Sequence, residues 1–193
     1  MPSPVGHALA GYAVVSGSKE TLSRRVWISV VGAMFLANLP DVDFIPGLLL
    51  GDPGAYHRQA FHSLFAAVLV GAGIGSVYRL RGRGFVGSFL LTVGLFLSHL
   101  LLDLFTHDTT GDAGLQLFWP FTERFFSIPL PLFSELHKSG TGWEFVTSLL
   151  ALRNLPMVLW EITVVLPFIL FSFWWSRRRQ ALAERESPPP QAT

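Results

Sequence analysis

Residues 85–105 read FVGSFLLTVGLFLSHLLLDLF. As an α-helix rising 1.5 Å per residue, these roughly 20 positions extend about 30 Å, the depth of a bilayer's hydrocarbon core. Up to Leu102 the stretch carries no Asp, Glu, Lys or Arg, the pattern of a membrane span rather than of a soluble helix with a charged outer face. His99 and Asp103 break that pattern in the last turns. Four residues apart, they share one helix face, one turn from each other. Ionisable groups inside a span are costly and turn toward the bundle interior or a wet cavity. The pair therefore needs compensation, which a divalent cation supplies and which a structural imidazole–carboxylate hydrogen bond would also supply.

The rest of the chain suits the same solvent. Of 193 residues, 50% are hydrophobic and only 14% charged, against about 25% charged in a soluble domain. That is too little charge to wrap a water-exposed globule of this length. Leu155–Trp175 is a second stretch of spanning length, and Ala60–Tyr78 is a third, with Gly71 and Gly75 at a spacing that lets helices approach closely. Val26–Leu39 is shorter and has to pack in a bundle or sit off-centre, and Pro4–Val15 is too short to span alone. The sequence thus predicts an all-α, polytopic helical membrane bundle of about four transmembrane helices plus a short N-terminal helix. It is read as one domain, 1–176, followed by a basic and then disordered cytoplasmic tail, 177–193. The connection from His107 to Asn154, rich in Pro, Gly and aromatics, is expected to cap one end of the bundle at the membrane interface. The N-terminal segment lacks a basic n-region and a small-residue cleavage site, so His7 is expected to remain in the mature protein.

Charge gives orientation. The net charge is +1, so no global field points to nucleic acid, and none is expected as a partner. Lys19, Arg24 and Arg25, then Arg79, Arg81 and Arg83, then Arg177, Arg178 and Arg179 fall on one side if the chain alternates; with Arg185 they are 10 of the 14 basic residues. The positive-inside rule makes that side cytoplasmic. On this topology His7, Asp41, Asp43, His57, His62, His99, Asp103 and His107 all come to the other, non-cytoplasmic end. Individually each has a plainer explanation: a helix cap or turn for Asp41 and Asp43, an interfacial histidine for His7, a polar loop for His107 with Asp108 and Asp112. A helix start between His57 and His62 would let both address one centre. Glu161, near the outer end of the last span, could cap, pair with Arg153 or line a cavity.

Together they describe a ligand set. With no cysteine in the chain, His and carboxylate donors from five separate segments are those of a zinc, manganese or similar divalent site, and there are enough for one or two ions. Such a site activates water and polarises the oxygen under attack, so hydrolysis is the expected reaction class. The motifs His-Glu-x-x-His, Gly-x-Ser-x-Gly and Gly-x-x-x-x-Gly-Lys are absent.

Gly6-His7, Leu39-Pro40-Asp41-Val42-Asp43, His57-Arg58 with Phe61-His62-Ser63-Leu64, Ser98-His99 through Asp103, and Leu117-Phe118-Trp119-Pro120-Phe121 together resemble the YdjM-like family of bacterial inner-membrane, metal-dependent hydrolases. The resemblance implies an inner-membrane hydrolase with His7, Asp41, His62, His99 and Asp103 as metal positions and Asp43 and His57 beside them. More distantly, the order His, Asp, His, His-x-x-x-Asp is similar to the zinc-dependent phospholipase C and single-strand nuclease superfamily, which cleaves phosphate esters. A later second His-x-x-x-Asp or Glu of that superfamily is missing, since Thr141 stands four after His137. The expectation is a membrane-bound hydrolase of phosphate esters, small-molecule or lipid, with zinc before manganese as cofactor, Asp43 and His57 in catalysis, and the bilayer as its constant partner. A divalent-ion transporter and a membrane protein with a structural metal are the alternatives; ligands gathered at one end, without internal repeats, argue against the transporter.

Overall fold

The architecture is that of a computed structural model, which describes residues 1–107, 114–139 and 142–186. Among the described residues it is almost wholly helical: α1 (Pro4–Gly17), α2 (Val26–Ala37), α3 (Phe44–Leu50), α4 (Leu64–Leu80), α5 (Phe85–Leu104), α6 (Gly142–Leu149) and α7 (Leu155–Glu186), with short 3-10 turns at Leu39–Asp43 and Ala60–His62. A two-residue parallel pairing of β1 (Thr106–His107) with β2 (Phe133–Ser134) ties the start of the long connection to its middle.

The helix α5 is the axis of the bundle. Its buried positions Ser88, Leu91, Thr92, Leu95, Phe96, His99, Leu100 and Asp103 recur at three- and four-residue intervals, and α1, α2 and α4 pack against it. Small residues set the spacing. A Cβ on Gly11 would lie 2.6 Å from the Ala37 Cβ and 2.8 Å from the Ala33 carbonyl oxygen, so α1 and α2 touch backbone to backbone. A Cβ on Gly71 would lie 2.6 Å from Val93 Cγ2, which confirms the packing expected of the Ala60–Tyr78 glycines.

Among the described residues two helices, α5 and α7, are long and apolar enough to cross a membrane, and a third crossing arises if α2 and the segment Leu39–Leu50, bent by 52° at their junction, count as one. The expectation of four spans is therefore met only in part. Val26–Leu39 has just 12 helical residues because Pro40 opens a 3-10 turn that diverts the chain, and α4 has 17. The last helix is longer than expected. It does not end near Trp175 but runs to Glu186, because Arg, Gln, Ala, Leu and Glu at 177–186 are good helix formers. The first part of the expected tail, 177–186, is thus helical, and residues 187–193 lie outside the described residues.

The three basic clusters meet at one end. Arg179 donates to the Gly17 carbonyl, Arg83 donates to the Leu22 carbonyl at 3.1 Å, and Tyr78 donates to the same oxygen. The His and Asp residues lie at the opposite end.

Candidate metal centre

The two ends of α5 and α2 meet through a histidine. His99 Nδ1 lies 2.8 Å from the Ala37 carbonyl oxygen, and a carbonyl only accepts, so a proton is on Nδ1 and Nε2 is the ring nitrogen left for the centre. His62 is fixed in the same way. The turn Ala60–His62 begins between His57 and His62, as the sequence reading required, and both rings address Asp43: His57 Nδ1 donates to Oδ1 at 3.0 Å and His62 Nδ1 to Oδ2 at 2.8 Å. The Arg58 backbone N–H donates to Oδ2 at 3.1 Å, from a residue held at φ 66° in the left-handed region. Asp43 is therefore the hub that orients two imidazoles, the arrangement found behind ligating histidines. Burial pushes the His57 imidazole down to about 4 against the opposing pull of Asp43, so it stays neutral.

The consequence is that the two remaining ring nitrogens converge. His62 Nε2 and His99 Nε2 face each other at 3.1 Å. Asp41 Oδ1 lies 3.6 Å from each of them, and Asp103 Oδ2 lies 3.5 Å from each. The other Asp103 oxygen is 3.5 Å from His7 Nε2, whose ring stacks on His99 at 3.7 Å between centroids. Among the described residues, both carboxylate oxygens of Asp41 and Asp103, both ring nitrogens of His7 and the Nε2 of His57 are buried without a hydrogen-bond partner. Two imidazole nitrogens and two carboxylates crowd one buried space, and a cation fits there. The spacing fits as well. Bonds of about 2.0–2.1 Å place neighbouring donors about 2.9 Å apart in an octahedral and about 3.4 Å apart in a tetrahedral shell. Three overlapping groups could hold a metal ion: His62, His99 and Asp103; His7, Asp41 and His99; and Asp41, Asp43, His57 and His62.

Local sequence explains the delivery of each donor. Ser3 caps α1, accepting from Gly6 N–H at 3.1 Å, with Pro4 in the first turn, and this sets His7 one turn into the helix. Pro40 opens the 3-10 turn carrying Asp41 and Asp43, the elbow between α2 and α3. The cap expected over the site is present. Leu64 N–H donates to the Leu117 carbonyl and Gln116 N–H to the Arg58 carbonyl, both at 2.9 Å, while Ile128 N–H donates to the Leu104 carbonyl at 2.9 Å. The segment from Leu115 to Phe133 is thus tied both to the His57–His62 loop and to the end of α5.

A model of the YdjM inner membrane protein family matches residues 1–180, which include every donor just described. The chain belongs to the YdjM inner membrane protein family. Curated proteins and solved structures give no match. In this YdjM chain Glu161, expected to cap, to pair with Arg153 or to line a cavity, instead braces two helices. It is 1% exposed, accepts from Ser3 N–H at 2.7 Å and from the Ser3 hydroxyl, and so ties α7 to the capped start of α1. Only the long-range contact could show that, since Ser3 and Glu161 stand 158 residues apart. His107 lies in β1, and Asp108 and Asp112 fall outside the described residues. His137, excluded from the site by its polar surroundings, donates its backbone N–H to Asn154 in the connection instead.

Proposed function

We propose that this YdjM family member is a membrane-bound, metal-dependent hydrolase of phosphate esters, with its centre on the non-cytoplasmic side of the inner membrane. In this reading His7, Asp41, His62, His99 and Asp103 hold one or two divalent cations, zinc before manganese. The observation that carries it is the pair of Nε2 atoms facing each other at 3.1 Å, flanked by two carboxylates whose oxygens have no hydrogen-bond partner. A divalent cation in such a site lowers the pKa of water toward neutrality and polarises a phosphoryl oxygen. The chain's own residues do the rest. Asp43 holds His62 and His57 in the Nδ1–H tautomer. His57, neutral and with a buried, unpaired Nε2, is placed to take a proton from attacking water and return it to the leaving oxygen. The cap from Leu115 to Phe133 restricts water above the centre.

The similarity in ligand order to the phosphate-ester-cleaving phospholipase C superfamily supports the substrate class, and the location at one end of the bundle supports an enzyme over a carrier. The test is metal analysis of detergent-purified wild type, His99→Ala and Asp103→Ala, followed by hydrolysis assays on phosphodiester and phosphomonoester substrates. The reading expects metal in the wild type alone, and hydrolysis that follows metal content. Equal metal in all three removes the site, whereas metal without turnover on a broad panel leaves a structural or transport role. Reporters placed after Arg179 and near Gly140 are expected on opposite sides, the first cytoplasmic.

A further inference from the structure

A cleft of about 450 Å³, within the size range of small-molecule sites, opens beside the metal centre between α3 and the loop leading to His62. Ile45 and Pro46 form one wall and Tyr56, Ala60 and Phe61 the other, with Asp43 at its inner end. Asp43 is the carboxylate that holds both His57 and His62, so the cleft ends on the orienting hub of the centre. The amide of Gln59, also in the lining, is turned away to the Ala55 carbonyl at 2.9 Å. The outer rim is apolar and unburied: Ile45 is 52% exposed, Tyr56 46% and Phe61 44%, and Leu49 and Leu50 on α3 and Leu64, Phe65 and Val68 on α4 are exposed as well. In an inner membrane protein that surface is the one that meets the bilayer.

We propose that this cleft holds an acyl chain of a bilayer phospholipid, entering sideways between α3 and the Tyr56–Phe61 loop, with its phosphate headgroup brought to the metal centre. A water-soluble phosphate ester finds no partner along these walls, whereas a lipid keeps its chain in apolar surroundings all the way in and meets ionisable groups only at the inner end. The chain bends by 52° between α2 and the Leu39–Leu50 segment, which carries the Asp43, Ile45 and Pro46 side of the cleft. The groove of about 220 Å³ between α1, α5 and α7 is also apolar, but no member of the metal groups lines it. That the lipid is also hydrolysed rests on the proposed function; that an acyl chain occupies the cleft does not.

The experiment reconstitutes the full chain in phosphatidylglycerol vesicles containing a trace of phosphatidylglycerol with a photoactivatable group in its acyl chain, and maps the cross-links by mass spectrometry. Labelling of Ile45, Tyr56 and Phe61 is expected to exceed, several-fold, that of Phe168 and Phe171, which are more exposed on α7 and report simple contact with lipid. Ile45→Trp, which narrows the mouth, is expected to cut labelling at Tyr56 and Phe61 several-fold while leaving metal content and α7 labelling as in the wild type. Ala60→Trp repeats the test from the opposite wall if Ile45→Trp does not fold. Cleft labelling no higher than that of α7, or unchanged in a folded Trp variant, overturns the proposal. Focused labelling without lipid hydrolysis by the metal-loaded protein leaves the cleft assignment standing and sinks the hydrolase instead.

Discussion

Asp43→Asn isolates the part of the centre that orients without binding. The carboxylate accepts three hydrogen bonds, from His57 Nδ1 at 3.0 Å, His62 Nδ1 at 2.8 Å and the Arg58 N–H at 3.1 Å. An asparagine of the same shape has one oxygen and one amide nitrogen, and the nitrogen only donates. If the oxygen faces His62 and Arg58, His57 loses its partner and its orientation. If it faces His57, the amide confronts His62 Nδ1, and the ring has to move its proton to Nε2, the atom that faces His99. Either way one imidazole loses its anchor while no proposed ligand is deleted. Loss of such an outer partner lowers metal affinity by about 10- to 100-fold, or about 1.4–2.8 kcal/mol. The assay is a chelator competition for zinc on detergent-purified protein, with Asp103→Ala as the reference for a lost ligand. An unchanged affinity would show that Asp43 orients nothing that matters. A loss as complete as that of Asp103→Ala would make Asp43 a ligand and redraw the centre.

Other perturbations probe how the bundle holds the site. Glu161→Ala removes both acceptors of Ser3 and is expected to weaken zinc affinity in the same competition, whereas Glu161→Gln keeps an acceptor for the Ser3 N–H and is expected to retain most of it; equal loss in both variants would tie the effect to charge rather than to the brace. Gly11→Leu forces a side chain into the Ala33–Ala37 contact and should cost about 1–3 kcal/mol, read as a lower thermal midpoint in detergent. His57 is neutral in the folded protein, with its pKa held at about 4 against about 6.5 in an unfolded chain. The unfolded chain therefore binds the extra proton between those values, and stability present above about pH 6.5 is lost as pH falls toward 4, by up to about 1.4 kcal/mol per unit. His57→Gln should flatten the thermal-midpoint slope in that window, and an unaltered slope would refute the assignment.

The helices that span were legible because α5 and α7 are uninterrupted apolar runs, and hydropathy needs nothing else. The convergence of His7, Asp41, Asp43, His57, His62, His99 and Asp103 was legible because helices that alternate direction sort their ends by side, and the basic clusters marked the other side independently. What stayed hidden depends on contacts between distant segments. The His99 bond to the Ala37 carbonyl uses a backbone atom that no side-chain pattern reveals. The elbow at Pro40 hid behind an ordinary helix-ending signal: proline forbids continuation of the same helix but does not say whether a loop or a tighter turn follows. The end of α7 was misplaced because hydropathy stops at Trp175, whereas helix propensity carries on to Glu186.

The contact between His99 and the end of α2 gives the bundle two unequal ends. At the basic end Val15, Leu22, Ala33, Leu36, Leu91 and Leu95 form an apolar cluster that holds whatever the surroundings contain. At the other end the same three helices are brought together around Asp41, Asp103 and three imidazoles, whose mutual repulsion is relieved only by positive charge. Depletion of divalent ions should therefore loosen the helix ends on the far side first, leaving the arginine-rich side intact, and amide exchange along α5 should show protection that fades from Leu91 toward Leu104.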